Sequence, residues 1–104
     1  MEFVNALKAK LPDYAKDIRL NLDAVIARSS LSPQLAVGAA LAAAFAAKAP
    51  AIVATIRSDA TLDATHQQAA LTAAALMGMN NVWYPFVEMA DDADLKTVRA
   101  ELRM

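Results

Sequence analysis

Between Ser32 and Ala90 the chain carries only five charged residues, Lys48, Arg57, Asp59, Asp63 and Glu88, in 59 positions. A helix on the surface of a monomer keeps one charged face toward water, so a stretch this poor in charge has to bury most of what it folds into. Alanine dominates the same region and makes up 26 of the 104 residues overall. It is the best intrinsic helix former, yet each alanine removes little apolar area from water, so closely packed helices that need cover from elsewhere are expected. A chain of this length supports one domain, residues 1–104, and can scarcely bury two such helices by itself. A homo-oligomer or a missing partner segment is the expected remedy.

The helices can be placed from spacing and punctuation. Phe3, Val4 and Leu7 suit a short helix docked on the core. Leu11, Tyr14, Ile18, Leu22, Val25 and Ile26 recur at three- and four-residue steps, which predicts an amphipathic helix over Pro12 to Arg28 with Pro12 in its first turn. Ser32-Pro33 reads as an N-cap followed by a first-turn proline and starts a second long helix that runs to about Lys48. Ala49-Pro50 repeats the signal for a helix carrying Ile52, Val53 and Ile56 to about Ala60. Thr61 or Asp63 can cap the next, which passes through HQQAALTAAALMGM. Gly78, Asn80 and Asn81 then read as its end, with Gly78 either a C-terminal residue or a point of close packing. Because Pro85 disrupts helical hydrogen bonding, Trp83, Tyr84 and Phe86 are expected to leave the helix and fold back as a plug, with Trp83 a buried anchor. Asp91, Asp92 and Asp94 precede a last helix with Leu95, Val98 and Leu102 inward and Arg99 and Arg103 toward its negative end. No segment alternates over strand length, so the fold class is all-α, a bundle of five or six helices in which the two alanine-rich ones pair closely.

Composition narrows the function. The net charge of −1 offers no basic surplus for nucleic acid, and the uncharged apolar run from Leu35 to Ala47 is too short to span a bilayer. No export signal follows Met1, which makes the cytoplasm the expected location. The sequence contains no cysteine, and with it no disulfide, thiolate metal ligand or thiol nucleophile.

Few residues are candidates for chemistry. His66, the single histidine, has Asp63 three residues before it; an Asp-x-x-His pair presents two ligands on one helix face, but a metal site needs three or four, so a polar residue in the first turns of a helix is the simpler reading. Glu88 sits among apolar residues in the sequence, a setting in which a carboxyl can serve as general acid or base, although no second titratable group lies nearby. The aspartates 91, 92 and 94 lack the spacing of a calcium loop and read as helix caps, with Asp92 and Lys96 an i,i+4 pair. Lys96 and Arg57 can contact anions or simply face solvent. No cofactor or metal is expected, and the Met and aromatic patch between Met77 and Phe86 reads as core or interface before it reads as a ligand pocket.

Two stretches, LPDYAKDIRLNLDAV from Leu11 and AALTAAALMGMNNVWY from Ala69, resemble the corresponding segments in the first half of the alkyl hydroperoxidase D (AhpD) proteins of the carboxymuconolactone decarboxylase-like superfamily, and the serine-proline helix start between them also fits. The resemblance implies an all-helical, roughly duplicated and trimeric protein that reduces organic hydroperoxides with electrons from a dihydrolipoyl partner. It also implies that the catalytic Cys-x-x-Cys pair, with its glutamate and histidine, belongs to the second half, close to which this chain stops. Neither Glu88 nor His66 matches that motif. Three readings follow: a structural and assembly half of an alkyl hydroperoxide reductase; a thiol-independent enzyme of the wider superfamily, a decarboxylase or isomerase of a small lactone using His66 or Glu88; or a small-ligand-binding module built on the Met and aromatic patch.

Overall fold

The computed structural model describes residues 1–59 and 61–97, and among them the chain is entirely helix and turn. Helix α1 (Glu2–Ala9) buries Phe3 and Val4 and places Glu2 in its first turn and Lys8 in its last, both favourable to the helix dipole. Lys8 then reaches Asp23 at 2.7 Å and ties α1 to the next segment.

That segment departs from the single helix expected over Pro12 to Arg28. Pro12 is extended, with ψ of 166°, and caps a 3-10 turn over Asp13–Ala15; α2 (Lys16–Leu22) follows and widens into a π-helical turn at Asp23–Ala27. The wide turn is closed by the Arg28 N–H donating to the Asp23 carbonyl at 2.9 Å, a five-residue step. The change of pitch breaks the predicted stripe. Leu22 and Ile26 pack on the core, whereas Tyr14, Ile18 and Val25 remain exposed.

Helix α3 (Pro33–Ala46) starts as its sequence implies, with the Ser32 hydroxyl accepting from the Leu35 N–H at 3.4 Å and proline at the first position. It buries Ala36, Val37, Leu41 and Ala44, one face at helical spacing. It ends where Lys48 turns left-handed, with φ of 58°, a conformation that costs a non-glycine residue about 1 kcal/mol or more. Helix α4 (Pro50–Arg57) buries Ile56 and stops short of the expected Ala60.

The largest difference lies in helix α5, which runs unbroken from Ala64 to Ala90. Asp63 caps its start, and the chain leaves it only at Asp91, which is left-handed with φ of 47°. Gly78, Asn80, Asn81 and Pro85 all lie inside it, so there is no folded-back plug, and Trp83 is half-buried on a helix rather than an anchor. A Cβ added at Gly78 would meet nothing within 4 Å, which removes both readings of that glycine, as helix end and as close approach. Proline withholds one N–H and one turn's contact, a local loss that a helix of 27 residues can carry.

Helix α6 (Ala93–Thr97) follows, its start supported by the Asp92 carboxylate, which accepts from the Asp94 N–H. Lys96 lies 3.4 Å from Asp91, not in the expected side-chain pair with Asp92: the Lys96 N–H donates to the Asp92 carbonyl at i,i+4, but the Asp92 carboxylate is turned to the Asp94 N–H. Val98, Arg99, Leu102 and Arg103 lie outside the described residues.

The two alanine-rich helices, α3 and α5, share the most extensive interface in the molecule, and α4 covers a second side of α3. The core where they meet comprises Phe3, Val4, Val37, Leu41, Ala44, Ile56, Leu62 and Ala70. Its reach is limited by length. With 1.5 Å rise per residue, α5 is about 40 Å long and α3 about 21 Å, so α5 extends well beyond the length of α3. The radius of gyration is accordingly 17.2 Å, against about 13 Å for a compact chain of this size.

Candidate functional site

Where α3 ends, α4 begins and α5 passes, the small residues Ala43, Ala46, Ala74 and Gly78 leave space that no side chain fills. The result is an open groove of about 1670 Å³ with an otherwise apolar lining to which Lys48, Arg57 and Asn81 contribute the longer polar groups. Small-molecule sites run to roughly 300–1,000 Å³ and gather several convergent polar groups; this cleft is wider and has few. Arg57 is steadied at one edge, where its Nε donates to the Gln67 side-chain oxygen at 3.2 Å. Met77, Met79 and Trp83 line the α5 side, so part of the Met and aromatic patch does face a cavity. Trp83 and Phe86 also meet ring to ring along one edge of α5, with centroids 6.2 Å apart and planes tilted by 37°.

His66 and Glu88 are not among the residues lining this groove. His66 stands one turn into α5, with its Nδ1 2.8 Å from Asp63 Oδ1 and its side chain 45% exposed. The Asp63 carboxyl lies below its ordinary range because it accepts first from the His66 N–H and then from the imidazole. The Asp-x-x-His pair is therefore part of a helix cap, and among the described residues no group of three or more His, Cys, Asp or Glu side chains converges on a point that could hold a metal ion. Glu88 is exposed, contrary to the apolar surroundings its sequence neighbours imply. Both belong to α5 and are 22 positions apart, about 33 Å along a helix axis, so they cannot act on one substrate as an acid and base pair.

A residue the sequence reading passed over does structural work. Asp59, 7% exposed, is the buried charged residue among those described. Its Oδ2 accepts from the Phe3 N–H at 3.1 Å and its Oδ1 from the Thr61 N–H at 2.8 Å, so one carboxylate caps α1 and orders the turn before α5. Hydrogen bonding from the Thr61 side chain, then from the Thr61 and Phe3 main chain, holds this carboxyl below its ordinary range against an opposing burial penalty. The one signal available in the sequence was an acid in a stretch that otherwise avoids charge.

With this geometry in hand, known proteins give a consistent comparison. An alkyl hydroperoxide reductase AhpD from Rhodospirillum centenum is 50% identical over 103 residues, 97% of this chain and 55% of that protein. The chain is an AhpD relative. AhpD proteins from a Bradyrhizobium species and from Brucella canis are 45% and 41% identical over the same length of this chain, and the match covers 57% and 59% of them. The chain thus spans about half the length of the AhpD proteins it matches, a coverage that fits their N-terminal half. No protein-family model matches, and no solved structure matches. The all-helical fold agrees with what the AhpD resemblance implies, and among the described residues no helix is long and apolar enough to cross a membrane.

Proposed function

We propose that this chain is the structural and assembly half of an AhpD-type alkyl hydroperoxide reductase, serving antioxidant defence in the cytoplasm without carrying the reacting thiols itself. The observation that carries the reading is the absence of cysteine from a chain 50% identical to a protein named for hydroperoxide reduction. A thiolate is what attacks the peroxide oxygen in thiol-dependent reduction, and no Met, His or Glu side chain replaces its nucleophilicity. The electrons would come through a dihydrolipoyl partner to a cysteine pair on a second half. The role left to this chain is to present the α3, α4 and α5 surfaces on which that half, or further copies of the chain, assemble. Small side chains along these helices favour close packing between subunits.

The test is direct. Pure protein given an organic hydroperoxide and dihydrolipoamide is expected to show no saturable turnover, and methionine oxidation, if it proceeds, stops at stoichiometric amounts. Catalytic consumption that saturates with hydroperoxide would overturn the reading and favour a thiol-independent site.

A further inference from the structure

We propose that the groove between α3, α4 and α5 binds an aliphatic carboxylate, a single unbranched chain with one anionic head, and that Arg57 holds the head. The proposal concerns the groove itself and does not depend on the assembly reading above.

The first observation is how polarity is distributed over the lining. Every charged residue that lines the groove is a cation: Lys48, just before α4, and Arg57, the last residue of α4. Among the described residues neither pairs with a carboxylate. The rest of the lining is apolar apart from Asn81 and the Trp83 indole N–H. An extended peptide brings a main-chain donor and acceptor at every residue and would leave most of them unpaired on such a surface. An acyl chain brings none, and its one polar group is an anion that meets a cation.

The second observation is that Arg57 is already oriented. Its Nε donates to the Gln67 side-chain oxygen at 3.2 Å, while Gln67 Nε2 donates to the Arg57 carbonyl at 3.4 Å and to the Leu62 carbonyl at 3.1 Å. This clamp takes up the Nε of the guanidinium and leaves its Nη edge as a fork matched to a carboxylate. Part of the cost of ordering a long side chain is thereby met before a ligand arrives. Met77, 54% exposed, lines the same groove, and its unbranched thioether adapts to the path of a flexible chain. A wide cleft with few polar groups suits a compact polar ligand poorly and an acyl chain well.

Dodecanoate, kept below the concentration at which it forms micelles, is the probe. Calorimetry on the full chain reads the affinity, and the emission of Trp83, the single tryptophan, reports from the groove. Saturable binding that shifts this emission is expected. Decanoate should bind about four- to tenfold more weakly, the worth of two methylenes partly removed from water. Arg57→Gln should weaken binding by about five- to tenfold, and Lys48→Gln by about twofold. Gly78→Leu fills the groove from a position where an added Cβ meets nothing within 4 Å, and should abolish binding with the helical circular dichroism intact. Dodecyltrimethylammonium, the same chain with the opposite charge, should not compete. Equal binding of the two heads, or binding that survives Gly78→Leu, overturns the proposal in favour of adsorption elsewhere. Absence of dodecanoate binding overturns it as well; if light scattering then gives a mass above 11.0 kDa that Gly78→Leu lowers, the occupant of the groove is a second copy of the chain.

Discussion

Asp59 is the position where one side chain decides most. Its carboxylate serves the Phe3 N–H at 3.1 Å, 56 residues away in sequence, and the Thr61 N–H at 2.8 Å, in a site 7% exposed. Asp59→Asn keeps the shape but leaves one acceptor oxygen, so one of the two main-chain donors loses its partner and the other bond loses its charge. A buried donor left unsatisfied costs about 1–3 kcal/mol, and the difference between a charged and a neutral bond adds about 1 kcal/mol, which makes a loss of about 2–4 kcal/mol. Asp59→Ala abandons both donors and should cost about 3–5 kcal/mol, a large share of the 5–15 kcal/mol typical of a native domain. Urea unfolding followed by circular dichroism at one protein concentration measures both.

The pH dependence gives an independent check. The Asp59 carboxyl has a lower pKa in the folded chain than its ordinary 3.8, so its contribution is complete above that value and is lost as pH falls through the folded-state value. The gap between wild type and Asp59→Asn should therefore be constant from neutrality to about pH 4 and narrow below it. A loss under about 0.5 kcal/mol for Asp59→Asn, the scale of ordinary surface substitutions, would refute the capping role. A gap unchanged through the acid limb would refute the ionised state as its source.

Three further substitutions probe α5. Gly78→Ala should stabilise by about 0.5–1 kcal/mol through helix propensity, since the added methyl meets nothing within 4 Å; thermal melting reads it, and a lower midpoint would mean that the glycine has a packing role. Pro85→Ala should restore a helical donor and raise stability by about 1–3 kcal/mol, and destabilisation would indicate that the proline shapes the helix end. Trp83→Ala should cost about 1–2 kcal/mol, because a half-buried indole forfeits only part of its transfer free energy, and a loss approaching that of a core tryptophan would show that the groove edge is closed in solution.

Much of the fold was legible because it is written in local chemistry. Ser32-Pro33 and Ala49-Pro50 mark the starts of α3 and α4, and Asp63 starts α5, each through a cap or a pre-set φ that needs no tertiary context. What escaped depends on neighbours. The π turn at Asp23–Ala27 shifts the register that the apolar spacing assumed, and it is held where Lys8 on another helix grips Asp23. Pro85 implies a stop, yet the helix runs past it to Ala90, because within a long helix the proline removes a single main-chain donor. The groove was invisible for a different reason: it arises from small residues on three separate elements, and absence of volume leaves no periodic signal.

The same physics links the charge-poor stretch to what the chain does. A helix earns most of its stability from packing an apolar face, yet α5 fully buries only Ala70 and Val87 of its 27 residues. Several of its large apolar side chains are exposed, among them Met77, Met79, Val82, Phe86 and Met89. A surface selected for life as a monomer would carry Lys and Glu at several of those positions, since exposed apolar stripes of this length promote association. Instead Glu88 is the one charge in α5. The alanines of α5 are concentrated between Ala64 and Ala75, so propensity supports its first half more than its second, and the missing charge there is what the assembly proposed above would account for.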